Sequence, residues 1–249
     1  MNKDVLLSGK SLKKAFGSNT VLHDVDIELY SEDFTVIMGA SGSGKSTLLY
    51  TLSGMDTVSG GHLQYNGRDI THISESEMTK LRADDFGFVF QRSHLVSNLS
   101  LYENIVLAGY VGSSLSEAES KKRADELISK MNLFEAKDRL PGEVSGGEAQ
   151  RAAVARAVMK ELKILFADEP TGSLNKSNTH EVLDLLSNLH AEGQAVLLVT
   201  HDPEAAARGN RILYLEDGAI TGELKLPPYQ GKDPQREETL SSWLEGLRW

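Results

Sequence analysis

Gly39-Ala40-Ser41-Gly42-Ser43-Gly44-Lys45-Ser46-Thr47 follows the apolar run Phe34–Met38 and opens a helix from about Gly44. A buried strand, a glycine-rich turn and a helix start, in that order, are the context of a phosphate-binding loop. The glycines let backbone N–H groups turn inward around phosphates, and the helix N-terminus adds positive potential. Lys45 supplies a point charge to the β and γ oxygens, and Ser46 is placed to ligate Mg²⁺.

Outward from this loop, short apolar runs alternate with helical patterns: 164–167 then 178–189, and 195–200 then 203–207. Such punctuation predicts an α/β fold around a largely parallel, buried sheet. Ile164-Leu165-Phe166-Ala167 ends in the adjacent carboxylates Asp168 and Glu169. In a parallel sheet this strand end should lie beside the phosphate loop, where open α/β sheets bind ligands. Asp168 can then hold the metal shell and Glu169 can polarise an attacking water. Residues 93 to 160 carry helical periodicity without strong strands, which predicts a helical subdomain inserted into the core. Within it, Ser116-Glu117-Ala118-Glu119 has capping-box spacing and opens a helix running through Leu127.

Composition limits the chemistry. The 249 residues hold 26 Lys+Arg against 36 Asp+Glu, a formal charge of −10, with 25% charged and 40% apolar residues. An ordered protein is expected, and an acidic total argues against non-specific binding to nucleic acid, so no nucleic-acid partner is expected. With no cysteine, disulfides, thiolate metal sites and thiol nucleophiles are excluded. No apolar stretch approaches the roughly 20 residues that cross a bilayer, and the polar start Met1-Asn2-Lys3-Asp4 carries no secretion signal, so a cytoplasmic location is expected.

Val144-Ser145-Gly146-Gly147-Glu148-Ala149-Gln150-Arg151 precedes an alanine-rich helix, and Ser-Gly-Gly at a helix start is a second anion nest. With this motif between the phosphate loop and Asp168, residues 5–224 resemble the nucleotide-binding domain of an ATP-binding cassette (ABC) ATPase. The resemblance implies a mostly parallel core sheet with an N-terminal antiparallel β subdomain. It also implies head-to-tail pairing with a second copy, in which Ser145, Gly146, Gly147 and Glu148 of one chain close on ATP held by the other. Gly39, Ala40, Ser41, Gly42, Ser43, Gly44, Lys45, Ser46 and Thr47 would cradle the phosphates. Phe16, in Lys14-Ala15-Phe16-Gly17, matches the aromatic that stacks on adenine, the alternative being an ordinary apolar residue of the core. Gln91, after Gly87-Phe88-Val89-Phe90, matches the glutamine that reaches Mg²⁺ and the attacking water. His201 matches the histidine that contacts the γ-phosphate. Both would otherwise be surface or structural residues at strand ends.

Asn175, in Pro170-Thr171-Gly172-Ser173-Leu174-Asn175, stands where the family usually has Asp, and Val144 and Glu148 replace the usual Leu and Gln. The phosphate loop, Ala167-Asp168-Glu169-Pro170-Thr171-Gly172 and Thr200-His201-Asp202-Pro203 resemble the lipoprotein-release, macrolide-export and bacitracin-resistance ATPases. Those work with FtsX-like permeases. The resemblance implies a separate permease docking at the helical subdomain, with Leu95, Val96, Leu99, Leu101 and Tyr102 as candidates, each alternatively core. A non-transporting regulatory cassette is the alternative; a soluble DNA- or ribosome-associated cassette is disfavoured by the absence of an inserted coiled coil.

Pro227, Pro228 and Pro234 bracket Tyr229-Gln230-Gly231-Lys232-Asp233, a linker composition that ends the ATPase domain near residue 226. Beyond it Leu240, Trp243, Leu244 and Leu247 repeat at helical spacing. This amphipathic helix, in a tail that also holds Trp249, either packs back on its own domain or docks on a partner.

Overall fold

Phe34–Met38 forms a strand whose five residues are all buried, as an apolar run with no polar alternation requires of a strand covered on both faces. The computed structural model describes residues 4–111 and 115–247. Residues 1–3 of the N-terminal reading and Trp249 lie outside that range. In chain order the elements begin with β1 (Val5–Phe16), β2 (Asn19–Tyr30), β3 (Phe34–Met38), α1 (Lys45–Leu52), β4 (Gly60–Tyr65) and β5 (Arg68–Asp69). Next come α2 (Glu75–Asp85), β6 (Phe86–Phe90), α3 (Leu101–Ala108), α4 (Glu117–Lys130) and α5 (Gly146–Ala157). The chain continues through β7 (Ile164–Asp168), α6 (Lys176–Ala191), β8 (Ala195–Val199), α7 (Pro203–Ala206), β9 (Arg211–Glu216), β10 (Ala219–Lys225) and α8 (Pro234–Gly246).

The chain divides into two compact units, one of residues up to 78 and from 189 onward, the other of residues 79–188. In the first unit β3 pairs in parallel with β8, Ile37 opposite Val199, and with β9, Met38 opposite Tyr214. β10 adds antiparallel to β9. The N-terminal strands form a separate antiparallel sheet in the order β2-β1-β4-β5. From Val25 to Leu29 β2 has the period-two pattern of a half-buried strand, with Val25, Ile27 and Leu29 inside, and a register shift separates them from the buried Leu22.

The second unit holds the parallel pair β6 and β7, from Phe86 opposite Ile164 to Phe90 opposite Asp168. Around them α3, α4 and α5 pack on one another through Leu101 and Ile105, Leu127 and Ile128, and Ala152, Val154 and Ala155, all buried. Leu101 is therefore core and not a docking residue. The capping box expected at Ser116 is formed, and the same Ser-x-x-Glu device starts α3 at Ser100 and α5 at Ser145. The mostly parallel α/β core, the N-terminal antiparallel sheet and the helical insertion are those of the expected cassette.

Helix α8 packs back on the first unit. Leu240 and Leu244 are buried, and the Trp243 ring meets the Tyr214 ring of β9 edge-on at 6.4 Å. A Cβ on Gly222 of β10 would come within 3.0 Å of Trp243, so the absence of a side chain there lets the indole lie against the strand. Among the described residues no helix is long and apolar enough to cross a membrane.

Candidate active site

The loop between β3 and α1 turns on glycine. Gly39 has φ +153°, Gly42 +83° and Gly44 +101°, values open to glycine and costly for other residues. At Gly39 the need is also steric, since a Cβ would stand 2.1 Å from the Leu215 carbonyl oxygen. At Gly42 a Cβ would meet nothing within 4 Å, which marks the open side of the loop. The Lys45 Nζ donates to the carbonyl oxygens of Gly39 and Ala40, each at 2.8 Å, and this anchors the ammonium across the mouth of the turn. Gly44, the N-cap of α1, brings no side-chain acceptor, whereas α3, α4 and α5 are each closed by a serine and a glutamate. A helix start without a side-chain cap next to a buried ammonium is a fit for phosphate. Ser43 Oγ is buried with no partner at the base of the same loop.

His201 leaves β8 beside this loop, because the Thr200 N–H donates to the Ile37 carbonyl at 3.2 Å. His201 is exposed, and Asp202 after it caps α7 by accepting from the Glu204 N–H. Phe16 stands at the end of β1, 53% exposed and thus not core. The Lys14 Nζ lies 4.9 Å from its ring centroid, held there by Asp56 and the Thr57 carbonyl.

In the second unit, Phe90 and Asp168 are register partners, so Gln91 and Glu169 follow them from the same end of the pair. Asp168 is buried. Glu169 has φ +47°, a left-handed conformation uncommon for a residue with a long side chain. The strand ends there, and the Gly172 N–H closes a turn on the Glu169 carbonyl at 3.0 Å. Gln91 is held by what surrounds it. Ser173 Oγ donates to the Gln91 carbonyl at 3.0 Å, and the buried Gln150 amide of α5 donates to Phe90 O at 2.7 Å. Arg156 reaches the carbonyls of Ser93 and His94. Gln150 and Arg156 were not legible as site residues, since a polar residue inside an alanine-rich helix carries no local signal of which loop it will meet.

The start of α5 is occupied by its own glutamate. Ser145 N–H and Ser145 Oγ both donate to the Glu148 carboxylate, at 2.8 and 2.7 Å, while the Glu148 N–H returns to Ser145 Oγ. These bonds hold the Glu148 carboxyl below its ordinary value. Ser145 and Gly146 are exposed, whereas Gly147 is buried, where a Cβ would approach the Asn178 side chain to 2.4 Å. Asn175 does what the usual aspartate would do locally: its Oδ1 accepts the Asn178 N–H at 3.0 Å ahead of α6, and Asn and Asp cap equally well.

A glycine loop between a parallel strand and an uncapped helix, with a neighbouring histidine, defines a P-loop nucleotide-binding protein. The family model for ABC transporters matches residues 22–172, and the chain belongs to that family as one of its ATP-binding ATPases. The macrolide export ATP-binding/permease protein MacB of Hahella chejuensis is 37% identical over 97% of this chain, and that of Neisseria meningitidis serogroup B is 37% identical over 96%. The chain spans 39% and 38% of those two relatives. Among solved structures, the ATP-binding cassette MJ0796, a dimer in a post-hydrolysis state bound to ADP and Pi, is 33% identical with a TM-score of 0.81. That match covers 90% of this chain and 100% of the other. CbiO1 of Clostridium perfringens shares the fold at 24% identity and a TM-score of 0.83, over 99% of this chain and 94% of its own.

Proposed function

We propose that two copies of this chain pair head to tail around two Mg·ATP and that closing and reopening of the pair drives an FtsX-like membrane permease. The observation that carries the reading is the pair of helix starts. One, at α1, has a glycine N-cap with no side-chain cap, beside the buried Lys45. The other, at α5, presents Ser145 and Gly146 at the surface of a different unit, as a site completed in trans needs. Gly39 to Thr47 cradle the phosphates and Phe16 receives the adenine. Ser46, Gln91 and Asp168 would hold Mg²⁺ through hydroxyl, amide and carboxylate oxygens, the hard donors this ion takes beside phosphate and water. When bound, the ion neutralises charge on the β and γ oxygens.

In this reading Glu169 accepts the proton of the attacking water and Gln91 orients that water. His201 donates toward the γ-phosphate, and Ser145 and Gly147 of the second copy, with Gly146, steady it once the Glu148 carboxylate releases the Ser145 N–H and hydroxyl it accepts from. Most of the acceleration is positioning and charge stabilisation, which only the closed pair supplies. The MacB relatives are macrolide export proteins, which makes macrolides the first substrates to test, with antimicrobial peptides and lipids or lipoproteins beside them. The chain would then sit at the inner face of the cell membrane through its permease. The decisive experiment is Glu169→Gln with ATP and Mg²⁺ in size-exclusion chromatography with light scattering. A stable ATP-bound dimer is expected, and a variant that binds ATP yet remains monomeric would overturn the role of Glu169.

A further inference from the structure

We infer that the C-terminal helix is an intrachain brace for the His201 loop, with Arg236 as its positioning residue. The inference rests on the reading that His201 serves the γ-phosphate. It concerns the first unit alone.

Arg236 is 7% exposed although it belongs to the most polar turn of α8. Its guanidinium is spent on three backbone carbonyls: Nε on Ala207 O at 2.5 Å, Nη1 on Pro227 O at 2.6 Å, and Nη2 on Gly209 O. Ala207 is the C-cap of α7, so the tail satisfies carbonyls at the end of that helix, which would otherwise lack partners. Tyr229, in the Pro-bounded linker, lies 4.5 Å from the Arg208 guanidinium and 5.7 Å from that of Arg236. The linker is fastened as well, since the Leu226 N–H donates to Asn210 O at 2.9 Å. Asn210 in turn donates to Asp33 and accepts from the Phe34 N–H at the start of β3.

The mechanical consequence follows from the length of α7. A helix of four residues has no stability of its own, because nucleation costs more than one turn returns. Its direction is therefore set by what holds its two ends. At the N-terminal end Thr200 is tied to Ile37 on β3. At the C-terminal end Arg236 holds the Ala207 and Gly209 carbonyls, and Asn210 just beyond is tied to Asp33 and Phe34. His201 lies between the two, one residue before α7's cap, on a segment whose downstream end is held by the tail at Ala207 and Gly209 and by β3 at Asn210. Trp243 and Leu247 set α8 against the β9–β10 hairpin, with Leu240 and Leu244 buried, and β9 pairs with β3, from which the phosphate loop also springs.

The test uses the full chain, with steady-state ATPase assays on Arg236→Ala, Arg236→Lys, His201→Ala and the double variant, and with ATP binding and thermal unfolding measured for each. Arg236→Ala is expected to lower kcat about tenfold with KM within about twofold, inside the roughly hundredfold that a 1 Å misplacement can cost. Arg236→Lys should fall between, since one ammonium cannot serve three carbonyls in the guanidinium's fork. In the His201→Ala background, Arg236→Ala should cause no further loss, because both changes remove one contribution. Equal loss in both backgrounds would overturn the brace, as would unchanged kcat in a folded Arg236→Ala chain. If Arg236→Ala fails to fold, Arg236→Lys with and without His201→Ala gives the same comparison. A His201→Ala chain with wild-type kcat would overturn the assignment of His201, and the brace with it; loss on His201→Ala without loss on Arg236→Ala overturns the brace alone.

Discussion

At Gly39 two requirements coincide: a φ of +153° and a Leu215 carbonyl 2.1 Å from where a Cβ would stand. Gly39→Ala must therefore shift either the loop or β9. A destabilisation of about 2–4 kcal/mol is expected, with loss of ATP binding, read by denaturant unfolding and by nucleotide titration. The glycine spacing announced a phosphate loop, yet it did not say which glycine is held by sterics and which by backbone freedom alone; that depends on β9, far away in the chain. Glu169 teaches the same lesson. Its identity was legible as a carboxylate at a strand end, whereas its left-handed backbone arises from the turn that Gly172 closes behind it. Asn175 shows a residue whose departure from the family pattern is locally silent, because the cap it makes needs an acceptor and not a charge.

At the scale of elements, helices declared themselves through their starts. Ser116-x-x-Glu119 was legible as a cap, and the spacing repeated at Ser100 and Ser145 reads by the same rule. The tail helix was legible by its 3.6-residue period, but not by its destination. Leu240, Trp243 and Leu244 could have faced a partner as well as the chain's own hairpin, since periodicity reports that a face is apolar and not what covers it. The structure sets Trp243 against Tyr214 of β9 and Gly222 of β10 and buries Leu240 and Leu244. Leu244→Ala, at 2% exposure, is accordingly expected to cost about 2–5 kcal/mol in chemical denaturation of the isolated full chain. A docking helix with no intrachain packing would lose nothing in that measurement. Leu101 is the opposite case: an apolar residue at a helix start, open to both a docking and a core reading, which lies fully buried in the second unit.

For the whole molecule, the residues assigned to one hydrolytic event are distributed over both units, and the α5 motif is assigned to a second copy. ATPase rate per mole of chain should therefore rise with protein concentration until pairing saturates. A rate per mole that stays constant down to dilute protein, with no dimer detectable, would count against a site completed in trans. The net charge of −10 was a poor guide to an anionic ligand, because a phosphate loop offers local backbone N–H groups and one lysine, which the overall balance does not register. By itself the sequence determined the parallel α/β core, the phosphate loop, the carboxylates after β7 and the membership of a family, all carried by short contiguous motifs whose chemistry needs those residue types in that order. Only the tertiary structure decided where the tail goes, which buried polar groups hold Gln91, and that Arg236 reaches back to Ala207 and Gly209. Those are contacts between residues distant in sequence, and a local pattern records what a segment can bury or donate but not which distant carbonyl, strand or ring receives it.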